Sequence, residues 1–85
     1  MTKVYIDVRE PDEFAGGHVQ GAVNVPLSAL LQKNYSLGSL GKDEDVVVYC
    51  RSGKRADIAL SILRQQGFTR ATNGINQVAI EHNLS

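Results

Sequence analysis

The chain holds one cysteine, and that residue opens the run Cys50-Arg51-Ser52-Gly53-Lys54-Arg55. A thiolate is a strong nucleophile, but an ordinary thiol is mostly protonated near neutral pH. Two features of this run favour the ionised form. Arg51, Lys54 and Arg55 bring positive charge, and Gly53 permits a tight turn in which successive backbone N–H groups point at one centre. The chemistry that follows is covalent catalysis on an anion, with Cys50 as the catalytic nucleophile and Arg51, Ser52, Gly53, Lys54 and Arg55 as its substrate-binding set. A cysteine after an apolar strand is otherwise a small core residue. The cationic, glycine-containing surroundings favour function over that alternative.

Such a loop needs a strand before it and a helix after it, and both are legible. Val46-Val47-Val48-Tyr49 is a continuous apolar run, the mark of a strand buried on both faces of a parallel sheet. Ala56, Ala59, Leu60 and Leu63, with Ile58 and Ile62 beside them, recur at helical spacing from Ala56 to Gln66, where Gly67 can end the helix. Val4 to Val8 reads as a buried strand. Pro11 opens a short helix whose first turn carries Asp12 and Glu13, and Gly16-Gly17 stops it. Ala22 to Val25 is a second strand, followed by a helix capped by Ser28 and running to Gln32. Lys33 to Asp45 reads as a surface loop with Leu37 and Leu40 turned inward. A strand near Arg70 to Thr72 and a helix from about Ile75 to Glu81 complete an alternating order. The expected fold class is α/β, a small parallel sheet of about four to five strands with helices on both faces, formed by residues 1–85 as a single domain.

Composition narrows the function further. Nine Lys plus Arg balance nine Asp plus Glu, so the broad positive field of a nucleic-acid binder is absent. One cysteine cannot form an internal disulfide, which suits a reducing compartment. No apolar run approaches the ~18 residues of a membrane helix. The expectation is a cytoplasmic chain without a membrane partner; periplasmic location is the alternative if an export signal has been removed before Met1. Asp7 and Arg9, at the carboxyl end of the first strand, are candidates to brace the Cys50 loop from behind through charge-assisted hydrogen bonds. The two histidines are His18 and His82, the latter in or just after the last helix. Neither offers a metal site with Cys50.

Asp7-Val8-Arg9-Glu10-Pro11-Asp12-Glu13-Phe14, then Gly17-His18-Val19-Gln20-Gly21-Ala22-Val23-Asn24-Val25-Pro26, resembles the amino-terminal signature of the rhodanese family, and Cys50 to Arg55 is similar to its active-site loop. The resemblance covers nearly the whole chain. It implies a thiosulfate sulfurtransferase that carries a sulfane sulfur as a Cys50 persulfide. The implied partners are a small anionic sulfur donor and a cyanide or thiol acceptor, an acceptor protein being one form of the latter. No metal or cofactor is implied, and a monomer is expected.

Two other readings compete. Phosphatases and arsenate reductases of the same fold have a loop one residue longer, whereas here Arg55 follows Cys50 after four intervening residues; the shorter loop suits a sulfur atom better than a tetrahedral oxyanion. A non-enzymatic sulfur relay or binding module is the other alternative, although silent modules usually lose the cysteine or its cations. The chain also departs from the family pattern. A peripheral strand and helix that often precede the signature are missing, and Thr72-Asn73-Gly74-Ile75 stands where a glycine pair is common, in a segment that normally walls the pocket.

Overall fold

Strands and helices alternate along the chain: β1 (Val4–Asp7), α1 (Pro11–Ala15), β2 (Val23–Asn24), α2 (Leu27–Leu31), β3 (Val46–Cys50), α3 (Lys54–Gln65), β4 (Ala71–Asn76) and α4 (Gln77–Leu84). The computed structural model describes residues 3–38 and 40–84. All strand pairs are parallel, and the sheet order is β2-β1-β3-β4. The expected α/β class is therefore observed, with four strands.

Alternation along the strands sends side chains to two opposite faces. Val4, Ile6, Val8, Val46, Val48 and Cys50 pack with Leu30 of α2 and Ala56, Ala59, Leu60 and Leu63 of α3. Tyr5, Val47 and Tyr49 face the other way, where Val19 and Ile80 of α4 cover them. Two-sided cover is why β3 is apolar at every position. Leu37 and Leu40 pack against the first cluster as expected. Gly67, at φ 104°, closes α3: its N–H meets the Arg64 carbonyl at 3.0 Å and the Phe68 N–H meets the Leu63 carbonyl at 3.1 Å. These are the paired bonds of a Schellman ending, and the buried Phe68 supplies the apolar contact that accompanies it.

Strands β1 and β2 and helix α2 end or begin a residue short of the sequence reading, and other departures are larger. Ser28 does not cap α2, which begins at Leu27 after Pro26; the Leu27 N–H is already satisfied by the Val8 carbonyl at 3.0 Å. Helix α3 starts at Lys54, ahead of Ala56, so Lys54 and Arg55 belong to its first turn. Ile58 in that helix is 49% exposed and lies outside the buried stripe. Finally, β4 runs on to Asn76 and α4 starts at Gln77. A bulge at Gly74 lets the strand continue: Asn73 pairs with Val48, and Ile75 with Tyr49.

Candidate active site

The chain places β2 on one side of β1 and then crosses to the other side to lay down β3. Neighbouring strands whose connections leave in opposite directions open a crevice beyond their carboxyl ends, the usual ligand position in an open α/β sheet. Cys50 is the last residue of β3, and the segment after β1 forms the facing wall.

Cys50 is a free cysteine, 1% exposed. The Gly53 N–H lies 3.1 Å from its Sγ. That approach requires a left-handed backbone at Gly53 (φ 92°, ψ −13°), immediately before α3, while the Gly53 carbonyl accepts the first helical bond from Asp57 at 2.9 Å. Burial pushes the Cys50 thiol up, but hydrogen bonding from the backbone amides of Ala56, Ser52, Gly53 and Arg55 outweighs it, and the thiol is held below its ordinary value of 9.0. Burial and activation are thus reconciled chiefly by the backbone.

The cations of the loop divide into two groups. Arg51 and Lys54 are exposed, and among the described residues no side-chain hydrogen bond or ion pair engages either. Arg55 reaches across to α1, with Nη1 on Glu13 Oε1 at 2.8 Å and Nη2 on Oε2 at 3.1 Å. Glu13 Oε1 also accepts the Glu10 N–H at 3.0 Å. The Arg55 guanidinium first, and that backbone bond second, lower the Glu13 carboxyl to about 2. Arg55 therefore serves as a strut between α1 and α3, near Cys50 but already paired.

Asp7 is fully buried and wrapped by Arg9: the Arg9 N–H and Nε meet Asp7 Oδ1 at 2.9 and 3.0 Å, and Nη2 meets Oδ2 at 2.7 Å. Nη2 also donates to the Gly17 carbonyl at 2.7 Å. The guanidinium carbon lies 5.8 Å from the centroid of the Tyr49 ring. Among the described residues neither side chain hydrogen-bonds the Cys50 loop, because Arg9 occupies the Asp7 oxygens; what the pair braces is Tyr49, the residue before Cys50. The Tyr49 hydroxyl accepts the Val19 N–H at 3.0 Å. Burial, with the Asp7 carboxylate adding to it, pushes that hydroxyl up to about 12. His18 turns back on its own segment, with Nδ1 2.8 Å from the Phe14 carbonyl and its ring stacked on Phe14 at 3.6 Å.

Sequence reasoning missed three contributors. Glu13 was legible only as a helix-start acid, since its partner lies 42 positions away. Asn24 ties the Asp7 and Arg9 carbonyls through Nδ2 at 3.0 and 2.9 Å. Asn73, in the segment read as a pocket wall, reaches the Gly53 carbonyl at 3.0 Å, a contact that the sequence does not announce.

A family model described as a rhodanese-like domain matches residues 2–77. The chain is 35% identical over 78 residues to the thiosulfate sulfurtransferase PspE of Escherichia coli, covering 89% of this chain and 74% of PspE. It is 44% identical over 68 residues to YqhL of Bacillus subtilis, an uncharacterized protein, covering 80% of this chain and about half (52%) of YqhL. Among solved structures, a rhodanese with anions from E. coli superposes with a TM-score of 0.79 at 32% identity, over 92% of this chain and 91% of that one. The human single-domain sulfurtransferase TSTD1 superposes with a TM-score of 0.76 at 30% identity, over 93% and 81%. With a rhodanese-like family model matched over residues 2–77, and its fold superposing on a solved rhodanese over 92% of the chain, the chain belongs to the rhodanese-like family of sulfurtransferases.

Proposed function

We propose that this chain is a thiosulfate sulfurtransferase in which Cys50 is the catalytic nucleophile. The observation that carries the reading is the Gly53 N–H 3.1 Å from Sγ at the carboxyl end of β3, in a loop whose backbone amides lower the thiol. Such a surrounding favours the thiolate over the thiol, and the same amides can stabilise the charge of a persulfide.

The cycle has two displacements. The Cys50 thiolate attacks the outer sulfur of thiosulfate; an Sγ–S bond forms, the S–S bond of thiosulfate breaks, and sulfite leaves with the electron pair. Cyanide or a thiolate then attacks the outer sulfur of the persulfide, and the Cys50 thiolate is released. Atoms and charge balance without an external oxidant, and neither step requires a general base. The exposed Arg51 and Lys54 are the cations available to the donor and to departing sulfite, with the backbone of Ser52 and Gly53 lining the floor. Arg55 contributes its charge while bound to Glu13. Asp7 and Arg9 act at one remove, through Tyr49. The physiological acceptor in this reading is a thiol, on a small molecule or on a protein.

Phosphoryl or arsenate chemistry fits less well. The loop is one residue shorter than such enzymes use, and the one arginine of the first helical turn is paired with Glu13. No helix among the described residues is long and apolar enough to cross a membrane. A thiol that must be free at each turnover suits a reducing compartment, in keeping with the cytoplasmic expectation.

The test is intact mass before and after thiosulfate, with sulfite measured in parallel and Cys50→Ser as control. The wild type should gain one sulfur atom as sulfite appears, and Cys50→Ser should gain none. A wild type that takes sulfur from a persulfide donor but not from thiosulfate would be a relay; one that takes it from neither would be a binding module.

A further inference from the structure

We propose that Asn73 is a positioning residue for Cys50, acting through Gly53 to hold the loop in the conformation that presents backbone N–H groups to the sulfur. The inference rests on the reading of Cys50 as the nucleophile and names a residue outside the loop that sets its reactivity.

The side-chain amide of Asn73 is fully used. Its Nδ2 donates to the Gly53 carbonyl at 3.0 Å and to Asp57 Oδ1 at 2.7 Å, and its Oδ1 accepts the Ile75 N–H at 2.8 Å. These partners fix its orientation, since a flipped amide would set oxygen against two acceptors. The Gly53 carbonyl therefore receives two donors, the Asp57 N–H from within α3 and Asn73 from β4. Holding that carbonyl fixes the peptide after Gly53, hence the ψ of −13° that accompanies its φ of 92°. The N–H of the same residue points at Sγ.

The other end of the amide holds the wall. Ile75 has φ 74°, a left-handed conformation that a β-branched residue rarely adopts. The Asn73 Oδ1 bond to its N–H closes the short turn that keeps it there. Ile75 is pressed against the loop: a Cβ added at Gly53 would lie 3.6 Å from Ile75 Cγ2 and 3.7 Å from both Ile75 Cα and Asn73 Nδ2. One side chain thus ties the last strand to the loop and to the first turn of α3.

The measurement is the thiol titration followed by thiolate ultraviolet absorbance, taken as the difference between each protein and its Cys50→Ser counterpart so that tyrosine ionisation cancels. With one cysteine in the chain the signal has one source. Asn73→Ala should move the midpoint upward by roughly 0.5–1 pH unit, the scale of one net hydrogen bond. A folded Asn73→Ala with an unchanged midpoint overturns the proposal. Should that variant fail to fold, Asn73→Ala is made in an Ile75→Gly background, where the left-handed position no longer needs support. There the midpoint should still rise relative to Ile75→Gly alone, and an unchanged midpoint again overturns it. The titration needs no sulfur donor, so a wild type that forms no persulfide would sink the proposed function and leave the Asn73 result standing on its own.

Discussion

Gly53 joins two requirements at one residue, a left-handed backbone at φ 92° and an N–H aimed at Cys50 Sγ. A methyl group there would find room, since its nearest contacts would be at 3.6–3.7 Å. The cost of Gly53→Ala is therefore conformational, about 1–2 kcal/mol for an L-residue held left-handed. Urea unfolding should register that loss, and the thiol midpoint should rise as the N–H swings away. The pH profile has a determined sign. Only the thiolate attacks, and loop amides hold the thiol below 9.0, so the rate of sulfur uptake should climb with pH through a midpoint below that value. A midpoint at or above pH 9 would place the sulfur outside the influence of the loop amides. Cys50 and its loop were legible because residue type, glycine and cations crowd into six adjacent positions. The segment holding Asn73 read as a pocket wall, but its role did not, because nothing local distinguishes an asparagine whose partners are Gly53 and Asp57.

Elements were legible where one physical demand dominated. β3 reads as a strand because both its faces are covered, and the buried stripe of α3 follows from its spacing. β4 was recognised only in its first residues, since Asn73, Gly74 and Asn76 are poor strand formers. A side-chain amide and a bulge carry the strand past them. The α3 boundary was missed for a related reason: Lys54 and Arg55 are polar, so periodicity begins only at Ala56. The α1–α3 strut is a tertiary contact with no local signature, and its pH behaviour follows from Glu13. Folding depresses that carboxyl from 4.5 to about 2. Its contribution is thus complete above about pH 4.5 and is lost as pH falls toward 2. Both partners are partly exposed, with side chains 33% and 26% accessible, so the contribution should be about 0.2–1 kcal/mol. Comparing Glu13→Gln with wild type by urea unfolding should show that gap near pH 6 and a smaller one near pH 3. A gap that widened in acid would contradict the assignment.

Across the whole molecule, the sheet separates two cores that meet only through its strands. Gly74 lies where β4 meets α4. A Cβ there would come within 2.6 Å of Val47 Cγ1 and 2.9 Å of Ile80 Cδ1. Gly74→Ala must therefore displace a strand side chain and a helix side chain together, and should cost about 1–3 kcal/mol. Because both cores share β1 and β3, that loss should appear as a shift of one cooperative unfolding transition monitored by circular dichroism. Two separate transitions would mean the cores fold independently. The exposed edges are unpromising for pairing: β2 has two residues and β4 is bulged. Sedimentation should accordingly find a monomer at micromolar concentration. The covered position of Cys50 has a consequence for traffic on the molecule. On the proposed cycle, the empty protein offers solvent almost none of its sulfur, as the 1% exposure indicates. Loading adds an atom beyond Sγ, and that atom is the first reactive one a visitor meets. Vacant and charged forms therefore present different surfaces at the same spot, and an acceptor can recognise cargo without entering the protein.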